Sequence, residues 1–127
     1  MQKMLLFGFV LLLASLGSLP PACAQNMKVE VPDFFCSGEK YIIRFGVVNR
    51  FTYQRTCTVA FKIMDAKRVL ACKEVTLVVP AESDGSALQE IEVNAPCVEG
   101  KATLEARIFI QTDRNRVQTW LSDCPRQ

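Results

Sequence analysis

Residues 97–124 read CVEGKATLEARIFIQTDRNRVQTWLSDC, and the alternation inside them decides the fold class. Ala102, Leu104, Ala106, Ile108 and Ile110 fall on one side of an extended chain, and Lys101, Thr103, Glu105, Arg107 and Gln111 on the other, with Phe109 the one apolar exception. Successive side chains of a strand point to opposite faces, so a period of two describes a strand with one buried and one solvated face. Thr112-Asp113-Arg114-Asn115 then supplies turn chemistry, and Val117, Thr119 and Leu121 resume the alternation up to Cys124. The expectation is a closing β-hairpin whose apolar face needs a second sheet to cover it.

The segments upstream provide that sheet. Met27, Val29 and Val31 alternate with Lys28 and Glu30 until Pro32-Asp33 interrupts them. Beyond the Ser37-Gly38-Glu39 loop, Tyr41, Ile43, Phe45 and Val47 alternate with Ile42, Arg44, Gly46 and Val48; both faces are largely apolar, which places this strand centrally. Residues 49–56, polar but for Phe51 and Tyr53, are expected to cross between sheets. Cys57, Val59, Phe61 and Ile63 form an inward set, residues 64–68 turn, and 69–79 continue as one bent strand or two short ones. Pro80 ends that strand, residues 82–86 (ESDGS) read as an exposed loop, and Ile91, Val93 and Ala95 alternate with Glu90, Glu92 and Asn94 before Pro96. Seven or eight short strands, turn signals between them and no long amphipathic stretch predict an all-β, immunoglobulin-like antiparallel β-sandwich.

The amino-terminal residues speak to compartment. Lys3, an apolar run over 5–16, Pro20-Pro21 and the small residues Ala22-Cys23-Ala24 have the grammar of a cleaved secretory signal over residues 1–24, leaving one domain over 25–127. Acylation at Cys23 is the competing reading, and Pro20-Pro21 disfavour it. The apolar run falls short of the roughly 20 residues a membrane span needs. After cleavage 103 residues remain, with 14 basic and 13 acidic side chains, a balance that implies no nucleic-acid partner.

A secreted domain of this size is commonly stapled. Cys36, Cys57, Cys72, Cys97 and Cys124 are the candidates; an odd number predicts two bridges and one spare thiol, with the pairing open. Cys36, beside the Ser37-Gly38 loop, is the expected spare, and an exposed spare thiol would support a disulfide-linked dimer or a mixed disulfide.

Catalytic chemistry is scarce. The chain has no histidine, which removes the usual base of a nucleophilic triad and the commonest metal ligand. No pair of cysteines has the C-x-x-C spacing of zinc or redox sites. Glu90 and Glu92 are the only close carboxylate pair considered, and they read as a solvated strand face. Neither an enzyme nor a cofactor or metal is expected, and no N-x-[ST] acceptor is present.

Aromatic residues form the remaining constellation. Phe109 and Trp120 share the polar side of the closing hairpin, either as a surface contact patch or as a cross-strand pair covering one another. Phe45 and Phe61, with Ile43, Val59, Leu104 and Ile108, either fill the core or line a cavity for an apolar ligand.

The run over residues 38–47 (GEKYIIRFGV), with 98–107 (VEGKATLEAR) and the closing segment from Asp113 to Trp120, resembles the secreted lipid-recognition family that includes sterol-transfer and lipopolysaccharide co-receptor proteins. The likeness implies a disulfide-stapled sandwich holding an acyl or sterol ligand between its sheets, although the cysteine spacing differs from that family's. Residues 109–114 (FIQTDR) also resemble the end of a macroglobulin-type domain, and the broad layout is similar to secreted prolactin-inducible-type proteins. Two functions follow as expectations: a secreted carrier with a lipid or other apolar molecule between the sheets, or an extracellular protein-interaction module with a closed core.

Overall fold

The computed structural model describes residues 26–98, 102–110 and 113–125. The expected signal peptide over 1–24 and Gln25 lie outside these residues. Seven strands and one helix follow in order: β1 (Met27–Ser37), β2 (Lys40–Asn49), β3 (Arg55–Asp65), β4 (Arg68–Val79), β5 (Ser83–Asp84), β6 (Gln89–Asn94), β7 (Ala102–Ile110) and α1 (Arg114–Trp120).

The strands form two antiparallel sheets. The first has the order β7-β3-β4. The second centres on β2, which pairs with β1 along one edge and with β6 and β5 in tandem along the other. This is the disulfide-stapled all-β sandwich read from the alternation, and residues 50–54 carry the chain between sheets as expected. The 69–79 run is one strand, β4.

The sheets close on a core of Ile43, Phe45, Val59, Phe61 and Ile63, none of which retains exposed surface. Met27, Val29 and Val31 on β1, and Ala102, Leu104, Ala106 and Ile108 on β7, pack against it from the two neighbouring edges and stay half-buried. Ile110, the last of the predicted inward set, remains 40% exposed.

The segment 82–86 is more ordered than its composition suggests. Ser83 and Asp84 pair with Asn49 and Val48, and the Gly85 backbone then crosses directly over Gly46. A Cβ at Gly46 would collide with the Gly85 carbonyl, so this backbone crossing requires glycine at position 46.

The closing hairpin is corrected on its second limb. Residues 114–120 form a helix, and Val117, Trp120 and Leu121 present a helical face to Ala60 and Phe109 on the outer side of the first sheet. The alternation of Val117, Thr119 and Leu121 fits a strand as well as Val117 and Leu121 fit a four-residue helical spacing. Tertiary packing decides between them, because the helix covers apolar Ala60 and Phe109, whereas an extended limb would leave them open. The helix is also tied down at its flanks: Arg114 Nη1 lies 2.5 Å from Glu74 Oε1, Lys62 Nζ lies 3.0 Å from Asp123 Oδ1, and Cys124 is bonded to Cys72.

The cysteine assignment is corrected too. Cys36 pairs with Cys97 and Cys72 with Cys124, at Cα separations of 5.9 and 6.0 Å. Among the described residues the unpaired thiol is therefore Cys57, buried on β3, and not Cys36. Sequence position on a loop favoured Cys36, but its strand neighbour Tyr41 and the segment after β6 bring Cys97 beside it. Two disulfides are compatible with an extracellular protein. No helix among the described residues is long and apolar enough to cross a membrane.

Candidate functional site

The six residues considered for an apolar ligand meet between the sheets, but they meet one another. Phe45 and Phe61 touch edge to face, their ring centroids 5.0 Å apart, and Ile43 and Val59 flank them. A cavity able to hold even water would leave its lining with surface that a water-sized sphere could touch. Phe45, Phe61, Ile43 and Val59 have none. Leu104 and Ile108 complete the packing from the β7 edge. The surface clefts beside Glu30 and Asp84, Asn115 and Trp120, Gly38 and Cys97, Lys73 and Asn94, and Val47 and Ala87 are lined by other side chains.

Phe109 and Trp120 do come together, at 6.1 Å between ring centroids, with α1 supplying Trp120. Phe109 is buried beneath the helix and Trp120 is half-buried, its ring flanked by Lys62 Nζ at 4.4 Å and by the Arg107 guanidinium at 5.6 Å. Two cations over one indole and an apolar floor make this pair the clasp that seats the helix.

A more exposed aromatic group stands at the end of the sandwich where the chain passes from β2 to β3. Asn49 organises it. With no exposed surface, its Nδ2 donates to the carbonyls of Tyr53, Val79 and Pro80 at 3.1, 3.3 and 3.0 Å, while its Oδ1 accepts from the Phe51 amide at 3.0 Å. The Glu82 amide donates to the Phe51 carbonyl at 3.0 Å and the Arg50 amide to the Asn26 carbonyl at 2.8 Å, so the residues leading into β1 and β5 also hold this loop.

On that base Phe51 and Tyr53 lie 5.3 Å apart, and the Arg55 guanidinium lies over both, 4.6 Å from the first ring and 5.5 Å from the second. Arg55 Nη1 also donates to Tyr53 Oη at 3.1 Å. Among the described residues no carboxylate lies within ion-pair distance of Arg55. Tyr53 is 54% exposed, and the register sets Arg55 opposite Val79, the last residue of β4. The result is a cation held by two rings beside an apolar strand end, chemistry suited to binding and without a nucleophile or base. The spacing of Phe51, Tyr53 and Arg55 at every second residue was the available sequence signal, since an extended chain puts all three on one side.

Several other charged groups are committed to one another. On the outer face of the second sheet, Arg44 bonds Glu90 at 2.8 Å and Asp33 at 3.4 Å, and the Glu90 bond leads in raising the arginine pKa. Lys40 pairs with Glu92 at 3.0 Å. The Ser86 hydroxyl and then its amide donate to Asp84 Oδ1, holding that carboxyl below its ordinary range. Burial pushes the Cys57 thiol up to about 11, the opposite of what a reactive thiolate needs. No group of three or more metal-ligating residues comes together among the described residues.

No family model, no curated protein and no solved structure matches this chain.

Proposed function

We propose that the chain is a secreted, non-enzymatic protein-interaction module that acts at its surface. The observation that supports this over a lipid or sterol carrier is the filled interior: Phe45, Phe61, Ile43 and Val59, at the centre of any apolar site between the sheets, have no surface left for a ligand to touch. The binding surface in this reading is the Phe51-Tyr53-Arg55 group. Tyrosine and arginine dominate the residues that carry binding energy in protein interfaces, and this arginine is already ordered by two rings and lacks a carboxylate among the described residues. The partner is accordingly an extracellular protein presenting a carboxylate beside an apolar side chain.

Two measurements test the reading together. A titration with a fluorescent polyene fatty acid should give no saturable one-to-one uptake. Immobilised wild-type protein should retain a discrete component of its own extracellular fluid that both Y53A and R55A fail to retain. Saturable fatty-acid uptake, or retention unchanged in both variants, would overturn it.

A further inference from the structure

Four strands of six residues or more bound the two sheets, and three are guarded against pairing with another chain. β1 carries Pro32 and a register shift between Glu30 and Asp33. β4 points Lys73 toward the core side, opposite Phe61, a charge that a continuing sheet would have to bury. β6 is only six residues long, and its outward Glu90 and Glu92 are already engaged by Arg44 and Lys40. Prolines, bulges, inward charges and short length are the ordinary means by which edge strands avoid one another.

β7 has none of these. It runs nine residues from Ala102 to Ile110 without proline, glycine or register shift, and its core-side residues are all apolar. Among the described residues its second edge is unpaired, because α1 turns inward over β3 toward Cys72.

We propose that this edge pairs antiparallel with the same edge of a second copy, with Ala106 at the two-fold axis, joining two three-stranded sheets into one of six. The charge pattern selects the occupant and the register. With Ala106 opposite Ala106, Glu105 of each copy faces Arg107 of the other, and the two ion pairs are related by symmetry. Both side chains are exposed, and Glu105 has no ion-pair partner among the described residues. On the core side Leu104 meets Ile108, and Ala102 meets Ile110, covering an isoleucine now 40% exposed. Centring on Glu105 or on Arg107 would instead set like charges face to face, which destabilises cross-strand neighbours.

Charge reversal tests this in the full chain by sedimentation velocity across a concentration series. Wild type should show a reversible monomer–dimer equilibrium that survives thiol reductant-free alkylation. E105R places two cations, and R107E two anions, on an edge that must meet its own copy, so each should weaken dimerisation about tenfold or more. Mixed in equal amounts, the two variants complement one another and should form a heterodimer as tight as wild type, while neither does so alone. Thermal melts of the monomers separate lost pairing from lost fold, particularly for R107E, whose wild-type side chain also flanks Trp120. A wild type that is monomeric throughout, single variants that dimerise like wild type, or a mixture that stays monomeric would each overturn the proposal. A monomeric wild type would leave the surface-binding reading standing, since fatty-acid uptake and retention through Tyr53 and Arg55 are read without reference to β7.

Discussion

Asn49 ends a largely apolar strand, and its position at the junction of β1, β2 and β5 explains why a buried amide is found there. Its amide group, itself without exposed surface, bridges the buried Val79 carbonyl to the carbonyls of Tyr53 and Pro80 and the amide of Phe51. Asn49→Ala should therefore cost about 1–3 kcal/mol, the penalty of leaving buried polar groups unpaired, and should also disorder Tyr53 and weaken partner retention. Phe61→Ala, which opens a hole in a filled core, should cost about 3–5 kcal/mol. Tyr53→Ala, at an exposed position, should stay within about 0.5 kcal/mol. Chemical denaturation of the three variants checks the ordering; a Phe61→Ala cost as small as that of Tyr53→Ala would mean that the core has room to spare.

At the scale of the element, α1 is the part that depends most on its surroundings. Seven residues are too few for an autonomous helix, and its Asp113 side chain makes no capping bond. Val117 buried on Ala60 and Phe109, the Cys72–Cys124 bond and the Glu74 and Asp123 ion pairs hold it in place. The C72A/C124A double variant removes a crosslink across 52 residues of sequence, which in the chain-entropy account contributes about 4 kcal/mol. Hydrogen exchange should then show the amides around Val117 to Leu121 losing protection before those of β3. Retained helix protection would assign the hold to the apolar contact alone. The same element marks where sequence pattern stops being decisive. β7 was legible because nine residues that alternate everywhere but at Phe109 admit one reading, whereas three apolar positions in five fit a strand and a helix alike. Their choice rests on Ala60 and Phe109, which are adjacent only after the sheet has formed. Likewise Phe45 and Phe61 were legible as inward residues, but whether they line a space or fill it depends on how far apart two sheets settle.

For the whole molecule, the buried Cys57 thiol links stability to alkaline pH. Its pKa is raised by burial from 9.0 to about 11, so the folded state holds a proton that the unfolded state releases. That contribution is fully present below pH 9 and declines as pH rises through 11, at a cost of no more than about 3 kcal/mol. Denaturation followed from pH 8 to 11 should show the decline in wild type and a smaller one in Cys57→Ala. One thiol should label with iodoacetamide only after unfolding; rapid labelling of the native chain would show an open β3. The cysteine count foretold two bridges and a spare thiol, while the identity of the spare depended on which strand ends the fold brings together. A sandwich closed on its own side chains and acting at its surface should carry no internal ligand. Native mass spectrometry of protein purified from its own secretory source measures this. The expected mass is that of the signal-cleaved chain with two disulfides and one thiol, singly or as a dissociable pair, with no adduct in the mass range of a lipid or sterol. A stoichiometric apolar ligand released only on unfolding would contradict it.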